Sequence, residues 1–210
     1  GGREAACRSL CRGSHTLCVA ITHPEQNANG LEASGMDVLR ILPWGMQSAF
    51  AKTRPGYDVE TALFNAAAVL GEKLTACRLR QIADVVHYLD EQNGYERVVF
   101  VGQGPGALLA LLAAALLPKA RGAALLETQL SFDALFEADY YFAPETAFET
   151  GLLRLCDLPD LAKLAGRVCA FTPKNPAGGS LAPHTPTPIP ARWEKDALSA
   201  AAEWLEDKLC

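Results

Sequence analysis

Val98-Val99-Phe100-Val101-Gly102-Gln103-Gly104-Pro105-Gly106 is the stretch that decides how this chain folds. Its valines and phenylalanine favour a β-strand, and the glycines that follow permit a sharp reversal of the backbone. The apolar run Ala107 to Leu117 comes directly after, so strand, tight turn and helix succeed one another without a linker. A strand that is apolar at every position is covered on both faces, as strands inside a parallel sheet are.

Working outward, Thr16-Leu17-Cys18-Val19-Ala20-Ile21 is another continuous apolar strand, and Met36 to Leu42 is a further one, stopped by Pro43. Asn27 to Ser34, between them, has room for only about two helical turns. Asp58 to Leu74 and Cys77 to Glu91 read as helices. The second sets Leu79, Ile82, Ala83, Val86 and Leu89 on one face and is ended by Asn93-Gly94. Arg97 to Val101, Gly122 to Leu126 and Val168 to Phe171 complete the strands, and Trp193 to Leu209 is a terminal amphipathic helix. This alternation predicts an α/β three-layer sandwich. Its mostly parallel sheet has about five or six strands with helices on both faces, and its ligand site lies at the strands' carboxyl ends.

Two segments fall outside the alternation. Residues 132–165, carrying Tyr140, Tyr141, Phe142 and Phe148, are long for a plain connection and suggest a lid-like insertion or an extra layer over the strand ends. The proline-rich stretch 173–190, with Gly178-Gly179, reads as an extended loop.

Composition narrows the function classes. At 210 residues, half of them hydrophobic, the chain fits a single domain spanning 1–210. Its net charge of -5, from 24 acidic and 19 basic residues without a Lys/Arg run, argues against nucleic acid as a partner. The longest apolar run, Gly106 to Leu117, falls well short of the ~20 residues that span a bilayer, so it predicts a buried helix and no membrane span. Seven cysteines are scattered without a CxxC pair or a histidine at finger spacing, and no metal site is expected. Cys18 and Cys169 sit in apolar strands and read as small core hydrophobes, while Cys7 and Cys11 could pair or face solvent. No cationic segment followed by an apolar core opens the chain, which leaves the compartment open.

The glycine turn admits three readings. As a nucleophile elbow, G-x-S-x-G, it has Gly102 and Gly106 where small residues are needed, but Gly104 where the serine would stand. Pro105 takes a second part away: the residue after the nucleophile lends its N–H to the oxyanion, and proline has none. As a dinucleotide loop, Gly102-x-Gly104-x-x-Ala107 fits G-x-G-x-x-G/A, and Glu127, 25 residues beyond Gly102, could meet a ribose hydroxyl. As plain structure, the glycines allow close helix packing, with Pro105 as a good first helical residue.

With these residues in view, the chain resembles the α/β-hydrolase superfamily, in particular its acetylxylan-esterase-like (carbohydrate esterase) branch. The resemblance runs from about Thr16 to about Ala182. It is carried by Arg78 to Leu89 (R-L-R-Q-I-A-D-V-V-H-Y-L), by Val98 to Leu117, and by Leu155 to Asn175 with its D-L-P-D-L-A-K-L-A-G-R and T-P-K-N. It implies a reduced α/β-hydrolase fold and serine-esterase ancestry, with no metal or organic cofactor, and it is compatible with a secreted or periplasmic protein. Residue by residue, the nucleophile position is Gly104 and the acid position is Asn175, an amide that can orient an imidazole but cannot stabilise imidazolium by charge. The histidine follows a further strand in that family, and His184 is the sole candidate here. His23 stands where the loop giving the other oxyanion amide begins.

Other residues read as ordinary. His87 is mid-helix, Arg80 and Asp84 are spaced for a local ion pair, and Ser131, Ser180 and Thr128 sit on no strained turn beside a base. Strands that precede the first one in such hydrolases have only about fifteen residues available before Thr16, so the sheet is expected to be reduced, or completed by an additional N-terminal region or an oligomer contact. Together these features predict a catalytically degenerate hydrolase domain that binds or scaffolds, with a small-molecule or carbohydrate ligand at the strand ends. The alternatives are an active serine-type ester hydrolase and a nucleotide-binding domain using Gly102 to Ala107.

Overall fold

The computed structural model describes residues 7–9, 14–22, 29–32, 34–46, 59–140, 149 and 151–209. The strands are β1 (Cys7–Ser9), β2 (Thr16–Ile21), β3 (Asp37–Arg40), β4 (Arg97–Gln103), β5 (Ala120–Leu126), β6 (Arg167–Phe171) and β7 (Ala191–Arg192). They form a sheet in the order β1-β3-β2-β4-β5-β6-β7, in which β1 runs antiparallel at one edge and all other pairings are parallel. Helices are α1 (Asn29–Glu32), α2 (Val59–Val69), α3 (Leu74–Asn93), α4 (Pro105–Leu116), α5 (Leu158–Leu164) and α6 (Ala197–Leu209).

Alternation along the strands divides the core into two layers. Leu17, Val19 and Ile21 of β2, Val98 and Phe100 of β4, and Val168 and Ala170 of β6 face α3, α4 and α5. Their neighbours Cys18, Ala20, Val99, Val101, Cys169 and Phe171 face α1 and α6. Because both faces are covered, no strand position needed a polar residue, and the continuous apolar runs follow from that. α4 is buried from Gly106 to Ala114, and its alanines let it lie close against the sheet. No described helix is long and apolar enough to cross a membrane.

Polar ties fix how the elements join. Tyr95 donates its hydroxyl to Asp37 at 2.5 Å, both side chains being buried, and Lys119 donates to both oxygens of Asp90 and to the Tyr95 carbonyl at 2.8 Å. Arg78 of α3 pairs with Glu60 of α2 at 2.7 Å in the interior and donates to the Trp44 carbonyl at 3.0 Å. Gly94, in the left-handed region at φ 66, ends α3 as Asn93-Gly94 predicts.

The structure corrects several expectations. A strand, β1, precedes Thr16 and pairs with β3, so β3 is not the edge of the sheet. The proline-rich stretch ends in β7, which pairs with β6 at Ala170 and Phe171. In segment 132–165, residues 158–164 form α5, which packs in the core beside α4, while Tyr141, Phe142 and Phe148 lie outside the described residues. Asp157 and Asp160 make a capping box there, and Leu158, Leu161 and Ala162 are buried, so the crossover between β5 and β6 carries a core helix of its own. α6 begins at Ala197, not Trp193, because Asp196 accepts from the amide and hydroxyl of Ser199 as an N-cap does. Arg80 pairs with Glu72 at 2.7 Å instead of Asp84.

Cys18 and Cys169 are buried, and removal from water pushes the Cys169 thiol up to about 11 against the opposing field of Arg192. The unfolded chain releases this proton near the ordinary 9.0, so the contribution to stability is complete below about pH 9 and is lost as pH rises toward 11. Urea denaturation of the parent and Cys169→Ala should therefore show the parent losing its relative advantage across that interval. A constant difference between the two would refute the assignment.

Candidate functional site

Gly104 sits at the end of β4 with φ 49 and ψ -116, a conformation that strains any residue with a β-carbon. Its amide donates to the Leu126 carbonyl of β5 at 2.9 Å, and its own carbonyl accepts from Ala107 at 3.1 Å, so the reversal is pinned on both sides. The three glycines differ in why they are needed. A β-carbon on Gly102 would lie 2.5 Å from the Gly106 carbonyl oxygen and 2.6 Å from Ala110. One on Gly106 would lie 2.3 Å from the Ile21 carbonyl oxygen. One on Gly104 would meet nothing within 4 Å. The outer positions are closed by backbone, and the central one projects into open space.

The neighbouring strands leave the sheet in the same manner. Glu127 after β5 has φ 50 and Thr172 after β6 has φ 49, and a β-branched residue there is a genuine outlier. Each of these exit residues donates its amide to the last carbonyl of the next strand over. Gly104 bonds Leu126, Glu127 bonds Phe171 at 3.0 Å, and Thr172 bonds Arg192 at 2.7 Å. A row of strained residues thus lines the carboxyl ends of the central strands, where ligands bind in parallel-sheet folds. Gln103 reaches across it, donating to Glu127 at 2.8 Å.

By sequence, no family model matches the chain, and no curated protein matches it. Solved structures do. Est1E from Butyrivibrio proteoclasticus, determined with bound ferulic acid, superposes with a TM-score of 0.54 at 13% identity, over 97% of this chain and 92% of that one. A cold-adapted esterase from an Arctic intertidal metagenomic library gives 0.57 at 15% identity, over 94% and 83%. A sugar hydrolase, YeeB, from Lactococcus lactis gives 0.54 at 14% identity, over 100% and 96%. The chain has the α/β-hydrolase fold.

Within that fold, Gly104 is at the apex of the turn and Pro105 is the first residue of α4, with no N–H to offer. Asn175 lies in the loop after β6, where its side-chain oxygen accepts from the Gly179 amide at 2.8 Å and its backbone amide bonds the Gly179 carbonyl at 2.8 Å. That oxygen therefore closes its own turn. The same loop is tied to the exit of β5 by Lys174, whose amide donates to the Thr128 carbonyl at 2.9 Å. His184 is exposed and precedes β7, whereas Trp193-Glu194-Lys195-Asp196 follow it. Trp193 donates its indole N–H to the Leu181 carbonyl at 2.8 Å. His23 lies outside the described residues.

The remaining candidates have structural partners. His15 is at the amino-terminal end of β2, 3.8 Å from Glu96, and His87 is exposed beside Glu91 at 3.3 Å. Ser131 donates to Asp157 at 2.5 Å, and Ser180 is 3.2 Å from the Lys174 ammonium. No three metal-binding side chains come together among the described residues. The sequence places Gly102, Gly104 and Pro105 at one turn and Glu127 at the end of the next strand, but not the strain at Thr172, since a threonine after a strand carries no signal of its backbone angle.

Alanine at Gly102 or Gly106 should cost ~3 kcal/mol or more, because the added carbon meets backbone that cannot move aside. Gly104→Ala should cost only the backbone strain, ~1–2 kcal/mol. Equal losses at all three positions in urea denaturation would contradict this division.

Proposed function

We propose that this chain is a catalytically degenerate α/β-hydrolase-fold domain of acetylxylan-esterase-like ancestry, which uses the rim at Gly104, Glu127 and Thr172 to bind rather than to hydrolyse. One observation carries the reading: the backbone at Gly104 holds the conformation of a nucleophile elbow with open space above it, while the residue has no side chain to react. The strained geometry persists without the atom it would serve.

Two further features support it. Pro105 withdraws an oxyanion donor, a loss that typically lowers a rate ~100 to 1000-fold. Asn175 spends its oxygen on Gly179, and no histidine follows β7 before α6. Among the described residues, the histidines that lie beside a carboxylate, His15 and His87, are at the amino-terminal end of β2 and on α3, away from the Gly104 turn. The ligand class that suits this rim is a small molecule or carbohydrate, received by Gln103, Glu127 and the exposed loop at Lys174. The single-domain organisation over 1–210 belongs to the same proposal.

Restoring the apex tests the proposal. Gly104→Ser combined with Pro105→Ala supplies a hydroxyl and an amide where space allows both. Hydrolysis of short-chain aryl esters and acetylated xylan oligomers should stay at background in parent and double variant alike, and neither should react with a fluorophosphonate probe. Robust labelling of any serine in the parent would sink the degenerate reading and establish an active serine hydrolase. Binding is read separately by thermal shift with xylo-oligosaccharides, where saturation at 100 times the dissociation constant corresponds to ~2.7 kcal/mol.

A further inference from the structure

A second concavity lies at the far edge of the sheet, away from the rim. Its floor is the amino-terminal half of β6, which pairs with the early residues of β5, whereas Gly104 stands beyond the carboxyl ends. β7 begins only opposite Ala170, so Val168 and Cys169 have no strand beside them on that side. α5 and α6 pack on opposite faces of the sheet, and the groove opens between them with a volume of about 480 Å³. That is the size of a small-molecule site.

Its chemistry is asymmetric. Val168, Ile189 and Trp204 supply an apolar lining, and the charged residues around it are Lys163, Arg167, Arg192 and Lys208, with no carboxylate among the lining residues described. The chain as a whole carries -5, so this concentration of positive charge runs against its average. Lys163 and Lys208 are held by carboxylates of their own helices, Asp160 at 2.8 Å and Asp207 at 2.5 Å. Arg167 donates to the Lys208 carbonyl, while the Arg192 guanidinium, whose charge is felt by Asp207 and Cys169, has no side-chain hydrogen bond among those described. The two guanidinium groups are the cations left to receive a ligand. Cys169 beneath them remains a neutral thiol at ordinary pH and does not compete as an anion.

We propose that this groove binds a small organic carboxylate with an apolar body, the carboxylate on Arg167 and Arg192 and the body against Trp204, Pro188 and Pro190. The planar guanidinium fork matches a carboxylate in geometry, and an apolar floor receives a singly charged head at lower desolvation cost than a phosphate dianion. The site adjoins the rim only through the Arg192 carbonyl, which accepts from Thr172, and does not depend on whether the rim hydrolyses or binds.

The test is a titration of the ¹⁵N-labelled chain with 4-phenylbutyrate, with 4-phenylbutanol and inorganic phosphate as comparison probes. Saturable shifts should appear at the Trp204 indole and at the Val168 and Cys169 amides, with a dissociation constant near or below about 1 mM. Both comparison probes should bind at least about tenfold more weakly, and Arg192→Gln, whose side chain is exposed, should weaken 4-phenylbutyrate by about tenfold with its unfolding midpoint unchanged. Arg167→Gln should add to that loss; if it fails to fold, Arg192→Gln carries the test alone. The proposal is overturned by an absence of shifts at these residues, by equal binding of the alcohol or of phosphate, or by a folded Arg192→Gln that binds like the parent.

Discussion

The approach of α4 to the sheet at Gly102 and Gly106 is the constraint on which the rest of this structure depends. With contact distances that leave no room for a methyl group, the helix start rests directly on the Ile21 carbonyl of β2 and on the end of β4. That contact sets the depth at which α4 is buried, and α4 in turn fills the centre of one core layer between α3 and α5. It also forces the sharp exit from β4, because the chain must reverse within a residue to place the helix so close. The strain at Gly104 is the consequence of packing on either side of it.

This makes the shape of the turn independent of the side chain at its apex. A serine at the apex contributes nothing to the contacts at Gly102 and Gly106, so replacing it with glycine relieves strain and leaves the packing intact. The amide ladder from Gly104 to Leu126, Glu127 to Phe171 and Thr172 to Arg192 is likewise made by backbone alone. The architecture of the turn thus resides in main-chain geometry and small residues, and no side chain at its apex takes part in it. The far groove follows a different logic, since it exists because β7 is short and leaves part of β6 uncovered between two helices.

How much was legible depended on the length of each signal. β2 was readable to the residue and β4 nearly so, because a strand covered on both faces is apolar throughout and ends abruptly at its turn. β1 and β7 offer three and two residues, too few for any periodicity, and both form only because a longer neighbour presents an open edge. α5 did carry a sign, the Asp157 and Asp160 capping box beside a proline, though it is only seven residues long. Arg80 chose Glu72 over Asp84 because the turn between α2 and α3 brings that carboxylate within 2.7 Å, a proximity that helical spacing does not encode.

The sequence by itself determined the order of the longer strands and helices, the location of the glycine turn, and the absence of a side chain at Gly104 and of an N–H at Pro105. Those are properties of residue type and local pattern, which are present before the chain folds. Only the tertiary structure decided which glycines are sterically required, that Asn175 spends its oxygen on its own loop, that His184 precedes rather than follows β7, and that Lys163 and Arg167 gather with Arg192 and Lys208 around one apolar groove. Each of these depends on distances between segments far apart in the chain, and such distances arise only when the two core layers close on the sheet.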